Sequence, residues 1–206
     1  MSIPLSMIYT PTYQSKQVLE TVNYKISPQH VFLDNASTDG TVEFLRGKGH
    51  QVEAHSKNMG RVENWAACLT HFLTKQDAPW FKWLFCGDSL VDHAEDLIAT
   101  YAQKFPEAGL LIFSYDILHA DNRTTTWFPF KGTCVLSPDA CAADVVRHGN
   151  IFGAPVAHVL SRTVLSNPYT FGSLPWVADM RVCLELSRHM PVAFIQEKIG
   201  VFNMNH

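Results

Sequence analysis

Charge is what this chain has least of. Asp, Glu, Lys and Arg make up 17% of its 206 residues, against roughly 25% in an ordinary soluble domain. Sixteen basic against nineteen acidic residues leave a formal net charge of −3. The basic surplus carried by proteins that bind nucleic-acid backbones is therefore missing. Long apolar runs are missing too. Even WFKWLFC (80–86) contains Lys82, whereas a bilayer-spanning helix needs about 20 apolar residues. The opening MSIPLSMIYTPTY lacks the basic flank and the apolar length of a secretory leader. The five cysteines, odd in number and without a C-x-x-C pair, form neither a disulfide framework nor a zinc site and read as free thiols in a reducing compartment. What the chain does have is a 47% hydrophobic composition, enough for one packed core. The expectation is a single cytoplasmic α/β domain over 1–206.

The first half alternates strand and helix signals. LSMIY (5–9) is a short apolar run stopped by TPTY, after which Val18, Leu19, Val22 and Ile26 fall at helical spacing. HVFLDN (30–35) is a second strand, closed by the turn-formers Asn35, Ser37, Asp39 and Gly40. A short helix from Val42 follows, then a strand QVEAH (51–55). Val62, Trp65, Ala66, Leu69, Phe72 and Leu73 trace the best helical stripe in the chain. WFKWLFC is a central strand, Asp92 with Glu95 a helix cap and its reciprocal partner, and GLLIFSYDI (109–117) another buried strand. Strands linked by short helices imply a mostly parallel central sheet flanked by helices. Beyond 118 the pattern loosens. HADNRTTTWF suggests a turn and edge strand, Ser137-Pro138 opens a helix, 175–189 is helical, and 192–196 with 199–203 form a closing strand pair.

In open α/β sheets, ligands bind beyond the carboxyl ends of the strands. Thr10, Asp34 and Gly87-Asp88 stand at three such ends. Carboxylates gathered on one rim suit a divalent metal or hydroxyl recognition, because hard cations prefer oxygen ligands. An alternative stands beside this one: Asp34 and Asp39 are ordinary helix and turn caps, and Asp88 a turn acid. Flavodoxin-like and response-regulator sheets carry strand-end acids as well, so position alone does not select a chemistry.

The strings themselves do. PLSMIYTPTYQ followed by FLDNASTDGT, then NMGRVENW (58–65), KWLFCGDSL (82–90), GNIFGAPVAHVLSR (149–162), PWVADMRVCLEL (175–186) and FNMNH (202–206) occur in this order. Together they resemble the ordered elements of inverting GT-A glycosyltransferases of family 2. The resemblance implies a nucleotide-binding half (1–117) and an acceptor-binding half (118–206), with sugar transfer from a UDP- or GDP-type donor to a glycan, lipid-linked or protein acceptor. It places Thr10, Pro11, Tyr13, Asp34, Asn58, Gly60, Arg61 and Gly87 around the nucleotide. Asp88, joined by His206, would hold Mn²⁺ or Mg²⁺ to neutralise the leaving diphosphate. Asp179 matches the catalytic base, and Gly153, Pro155 and Trp176 the acceptor side. Peripheral association with the inner membrane face remains open.

Gln14, in place of the frequent Asn, and the length of the chain, which stops at His206 where many relatives continue, depart from that pattern, and so does the metal motif. Gly87 stands where many relatives carry a first acid, leaving one carboxylate at the metal position. Asp179 falls in a first helical turn, where a carboxylate also stabilises the helix dipole. Two rival readings follow: a non-catalytic nucleotide-binding or scaffold member of the same fold, and an unrelated phosphotransfer enzyme using the same strand-end acids.

Overall fold

The computed structural model describes residues 4–166 and 178–205. Four strands and three helices alternate first: β1 (Ser6–Thr12), α1 (Lys16–Leu19), β2 (His30–Asp34), α2 (Thr41–Gly47), β3 (Gln51–Ala54), α3 (Arg61–Lys75) and β4 (Trp80–Trp83). Then come β5 (Ser89–Leu90), α4 (Ala94–Lys104), β6 (Leu110–Leu118), β7 (Thr124–Trp127), β8 (Cys134–Leu136) and α5 (Pro138–His148). A 3₁₀ turn (Pro155–Ala157), β9 (His158–Ser161), α6 (Arg162–Leu165), α7 (Ala178–Leu186) and β10 (Val192–Asn203) complete the described elements.

One sheet organises them, in the order β3-β2-β1-β4-β9-β6-β10-β5, with β7 added to β6 and β8 to β10. Along that path β1 to β4, β6 and β10 run the same way, and β5 and β9 run against them. The sheet is thus mostly parallel. Strands from both halves of the chain share it, since β9 is inserted between β4 and β6. Because helices cover both faces, the central strands are apolar throughout: β4 is buried at all four positions, Lys82 included. One core layer packs α3 and α7 residues such as Leu69, Phe72 and Cys183 against Met7, Phe81 and Phe194. The other packs Ile98 and Tyr101 of α4 against Leu111, Phe113 and Ile195.

The amphipathic stripe of α3 forms as its spacing demands. Its C-terminal carbonyls are met by an arginine from far along the chain: Arg162 donates to the carbonyls of Phe72, Leu73, Gln76 and Ala78. Ser137 caps α5 by accepting from the Ala140 N–H at 3.3 Å, with Pro138 at the first helical position.

Three expectations need correction. The helix through Ile26 is a single turn, because both the N–H and the hydroxyl of Thr21 close onto the carbonyl of Val18; Ile26 is 62% exposed. Asp92 does not cap α4: Ala94 N–H bonds to Val91, the cap position falls to His93, and no side chain fills it. The closing strand pair is one strand, β10, carrying two register shifts against β6 around the exposed Gln196–Lys198.

Candidate active site

β1 is followed on one side by β2 and β3, and on its other side by β4. The strand order therefore reverses between β1 and β4, the place where open α/β sheets form their ligand crevice. A cleft of about 530 Å³ lies there. The end of β1 contributes Pro11, Thr12 and Tyr13, the segment after β4 contributes Phe85 and Cys86, and the start of α3 contributes Arg61, Asn64 and Trp65. Asn58 and Gly60 line the same cleft, tied to β2 through Asn35, whose amide donates to Asn58 Oδ1 and to the Gly60 carbonyl at 2.9 and 3.0 Å. Gly60 adopts φ 95°, a conformation glycine supplies without strain. Arg61 extends its guanidinium over the Trp65 ring, 5.5 Å from the centroid, and Trp65 packs against Phe85 at 4.7 Å.

Of the expected nucleotide residues, the cleft gathers Pro11, Tyr13, Asn58, Gly60 and Arg61. It does not gather Thr10 or Asp34. β1 continues two residues past Thr10, which is fully buried with its hydroxyl on His30 Nε2 at 2.8 Å; the strand-end hydroxyl is that of Thr12. Asp34 is also fully buried. Its carboxylate accepts from Thr12 Oγ1, the Ser37 N–H and Ser37 Oγ at 2.9, 2.8 and 2.6 Å, so it builds the loop after β2. Asp39 accepts from the N–H of Thr41 and of Lys16, the capping role its sequence position also allowed.

Asp88 is different. It is fully buried, and one oxygen accepts the Asn203 N–H at 3.0 Å while Oδ2 has no partner among the described residues. Burial pushes its carboxyl up to about 7, against the opposing pull of the Asn203 N–H and the Lys82 charge. A buried carboxylate oxygen without a donor is costly and fits a cation. Gly87, where the resemblance places an acid, has φ 93° and donates its N–H to Tyr24 Oη at 3.0 Å. Among the described residues, no group of three or more His, Cys, Asp or Glu could hold a metal, so Asp88 offers one ligand. His206 and Trp176 lie outside the described residues.

Asp179 stands in the first turn of α7. Burial raises its carboxyl above the usual range, opposed by the N–H of Met180 and the charge of Arg61. Asp88 and Asp179 both act on one further group. Tyr115 is held up at about 12, first by burial and then by these two carboxylates. Gly153 and Pro155 do not open onto the cleft. Gly153 (φ 73°) leaves room for the Trp127 and Tyr115 rings, which its Cβ would meet at 2.7 and 2.9 Å, and Pro155 is buried at the start of the 3₁₀ turn.

Several contributors escaped the sequence reading. Lys82 is one: its ammonium donates to the carbonyls of Val156 and Trp83 at 2.6 and 3.2 Å, and burial depresses it to about 7. A lone charge inside an apolar strand was its signal. Asn64, buried on the inner face of α3, donates to the Leu33 carbonyl at 3.2 Å; a polar residue amid an apolar stripe was its signal. Tyr115 had none.

No protein-family model and no curated protein matches the sequence. Solved structures do match the fold. Residues 1–349 of S. aureus TarS in complex with UDP superpose with a TM-score of 0.72 at 15% identity, over 97% of this chain and 60% of that one. The same TarS fragment in complex with UDP-GlcNAc gives 0.66 at 13% identity, over 98% and 59%. Glucosyl-3-phosphoglycerate synthase from Mycobacterium tuberculosis, in complex with Mn²⁺, UDP and glucosyl-3-phosphoglycerate, gives 0.59 at 13%, over 96% and 71%. The chain spans about 60% of the length of the TarS fragment it resembles. With its switch-point cleft and its mostly parallel sheet, the chain has the GT-A glycosyltransferase fold.

Proposed function

We propose that the protein transfers a sugar from a nucleoside-diphosphate donor to a hydroxyl acceptor, with inversion at the anomeric carbon, as glycosyltransferases of family 2 do. The observation that carries this is the cleft at the topological switch point of a GT-A fold, whose wall residue Cys86 stands two positions before the buried Asp88. That TarS binds UDP and UDP-GlcNAc, and that the mycobacterial synthase binds UDP with Mn²⁺, supports a UDP-type donor here; a GDP-type donor is the alternative.

In this mechanism the nucleotide occupies the cleft between Tyr13, Asn58 and the Arg61–Trp65 pair, with its diphosphate toward Asp88. Asp88, through its unpartnered oxygen, would hold Mn²⁺ or Mg²⁺, which supplies Lewis-acid neutralisation of the diphosphate when bound. Asp179 accepts the proton of the acceptor hydroxyl as that oxygen attacks the anomeric carbon from the face opposite the leaving group. A new C–O glycosidic bond forms, the C–O bond to the diphosphate breaks, and its electron pair departs with the nucleoside diphosphate. Burial of Asp179 makes it a better base than an exposed carboxylate. The acceptor is a glycan, lipid-linked or protein hydroxyl. Among the described residues no helix is long and apolar enough to cross a membrane.

The test is turnover on a panel of UDP- and GDP-sugars with Mn²⁺, comparing Asp179→Asn. The expected result is a loss of roughly 10²- to 10⁴-fold in kcat, with UDP affinity unchanged. Equal turnover would remove Asp179 from the chemistry. Gly87 favours a second reading, a non-catalytic nucleotide-binding member. Nucleotide affinity indifferent to Mn²⁺, together with no turnover on the whole panel, would establish that reading instead.

A further inference from the structure

We infer that Tyr115 is a sugar-binding residue whose hydroxyl donates a hydrogen bond to a hydroxyl of the sugar lying between Asp88 and Asp179. The inference rests on the glycosyl-transfer reading above, in which Tyr115 has so far served only to report the two carboxylates.

The ring is fixed from several elements. It stacks on Trp127 of β7 at 5.1 Å and 30°, and meets Phe202 of β10 edge-on at 6.4 Å. The missing side chain of Gly153 lets backbone approach where a Cβ would stand 2.9 Å from the ring. The phenol oxygen then accepts the Ala154 N–H at 3.0 Å. A phenol also has a proton to give. The described residues supply no acceptor for it, although Tyr115 is only 3% exposed. A buried hydroxyl without an acceptor is costly, and a ligand oxygen removes that cost.

Chains of contact link the Tyr115 ring and hydroxyl to the elements that carry Asp88 and Asp179. On one side, Asp88 accepts the N–H of Asn203, whose neighbour Phe202 packs on the Tyr115 ring. On the other, Ala154 and Gly153 follow Phe152, whose carbonyl bonds to His158 Nε2 at 3.0 Å. His158 Nδ1 meets Cys183 Sγ at 3.4 Å, one turn along α7 from Asp179. A phenol is protonated at neutral pH, so it serves as a donor and not as a base. If Asp88 faces the diphosphate and Asp179 the acceptor, the part of the substrate between them is the transferred sugar, and its hydroxyls are the oxygens within reach.

Tyr115→Phe keeps the ring, its stacking and the fit against Gly153, and removes only the hydroxyl. We expect it to lower kcat/KM for UDP-glucose, UDP-GlcNAc or GDP-mannose, whichever the wild type uses, roughly 3- to 10-fold. The Kd of the matching nucleoside diphosphate, which has no sugar, stays within twofold. Among singly deoxygenated versions of that donor, one should lose the same factor on the wild type and nothing more on Tyr115→Phe. Equal kcat/KM in both proteins, an equal loss in nucleoside-diphosphate affinity, or an undiminished effect of the substitution on every deoxy donor overturns the inference. Failure of the wild type to bind any of these nucleotides overturns the glycosyl-transfer reading, and this inference with it.

Discussion

Asp179 and Asp88 are both carboxylates perturbed by burial, and pH should separate them. A base must be ionised, and the carboxyl of Asp179 is raised. The acid limb of kcat/KM is therefore expected above the ordinary carboxylate range; a limb at the pKa of an exposed carboxylate would show that Asp179 is not the group titrating. Asp88 bears on folding. Its carboxyl lies near 7 in the folded protein against 3.8 as a reference, so between these values the native state holds more protons than the unfolded chain. Stability due to this group is full at low pH and is lost as pH rises from about 4 through 7. Asp88→Asn should abolish that loss, and in the absence of ligand the variant should be the more stable at pH 8, by a few kcal/mol at most. Urea unfolding at pH 5 and pH 8 measures it. Asp88 and Asp179 could be singled out in the sequence because motif strings surround them, and the structure adds that both are perturbed by burial. Thr10 and Asp34 were assigned by the same strings, but the extra two residues of β1 and the saturation of Asp34 by Thr12 and Ser37 place them inside the fold. Tyr115 was illegible: in the sequence it is one more residue of an apolar strand, and only Gly153, Trp127 and Phe202 give it a setting.

Between elements, the junction of α3 with Arg162 decides most. The start of α3 forms one wall of the cleft, and its other end leaves carbonyls that need donors. Arg162 serves those of Phe72 and Leu73, with the carbonyls of Gln76 and Ala78 just beyond, and lays its guanidinium 4.4 Å from the Phe72 centroid. Arg162→Met keeps the apolar stem and loses every donor, and should cost about 3 kcal/mol, seen as a lower urea midpoint with unchanged slope. A variant as stable as the wild type would mean that water replaces the guanidinium. Periodicity foretold α3 because its stripe is continuous over three turns. It misplaced the helix through Ile26 because four apolar residues at helical spacing are no match for a turn closed by Thr21. It split β10 in two because Glu197 and Lys198 read as a break, where the sheet accommodates the exposed Gln196–Lys198 stretch with register shifts.

At the scale of the molecule, the fold predicts coupling between ligand and stability. A nucleoside diphosphate that binds only the folded chain stabilises it by about 2.7 kcal/mol at 100 times its Kd. UDP with Mn²⁺ should raise Tm more than UDP alone, and Asp88→Asn should erase the difference without erasing the effect of UDP. A metal-dependent increment that survives in Asp88→Asn would place the ion elsewhere. Composition, the β-α alternation and the ordered strings of the first ninety or so residues determined the α/β class and pointed to a cleft at the strand ends, because hydrophobic period and turn chemistry are local properties. Only the tertiary structure decided which strand ends are open and which are sealed, that β9 and β10 from the second half enter the sheet of the first, and that Asp88 is buried against the Asn203 N–H of β10. Those are matters of long-range register and packing, and a linear sequence does not carry the distance between two of its own side chains.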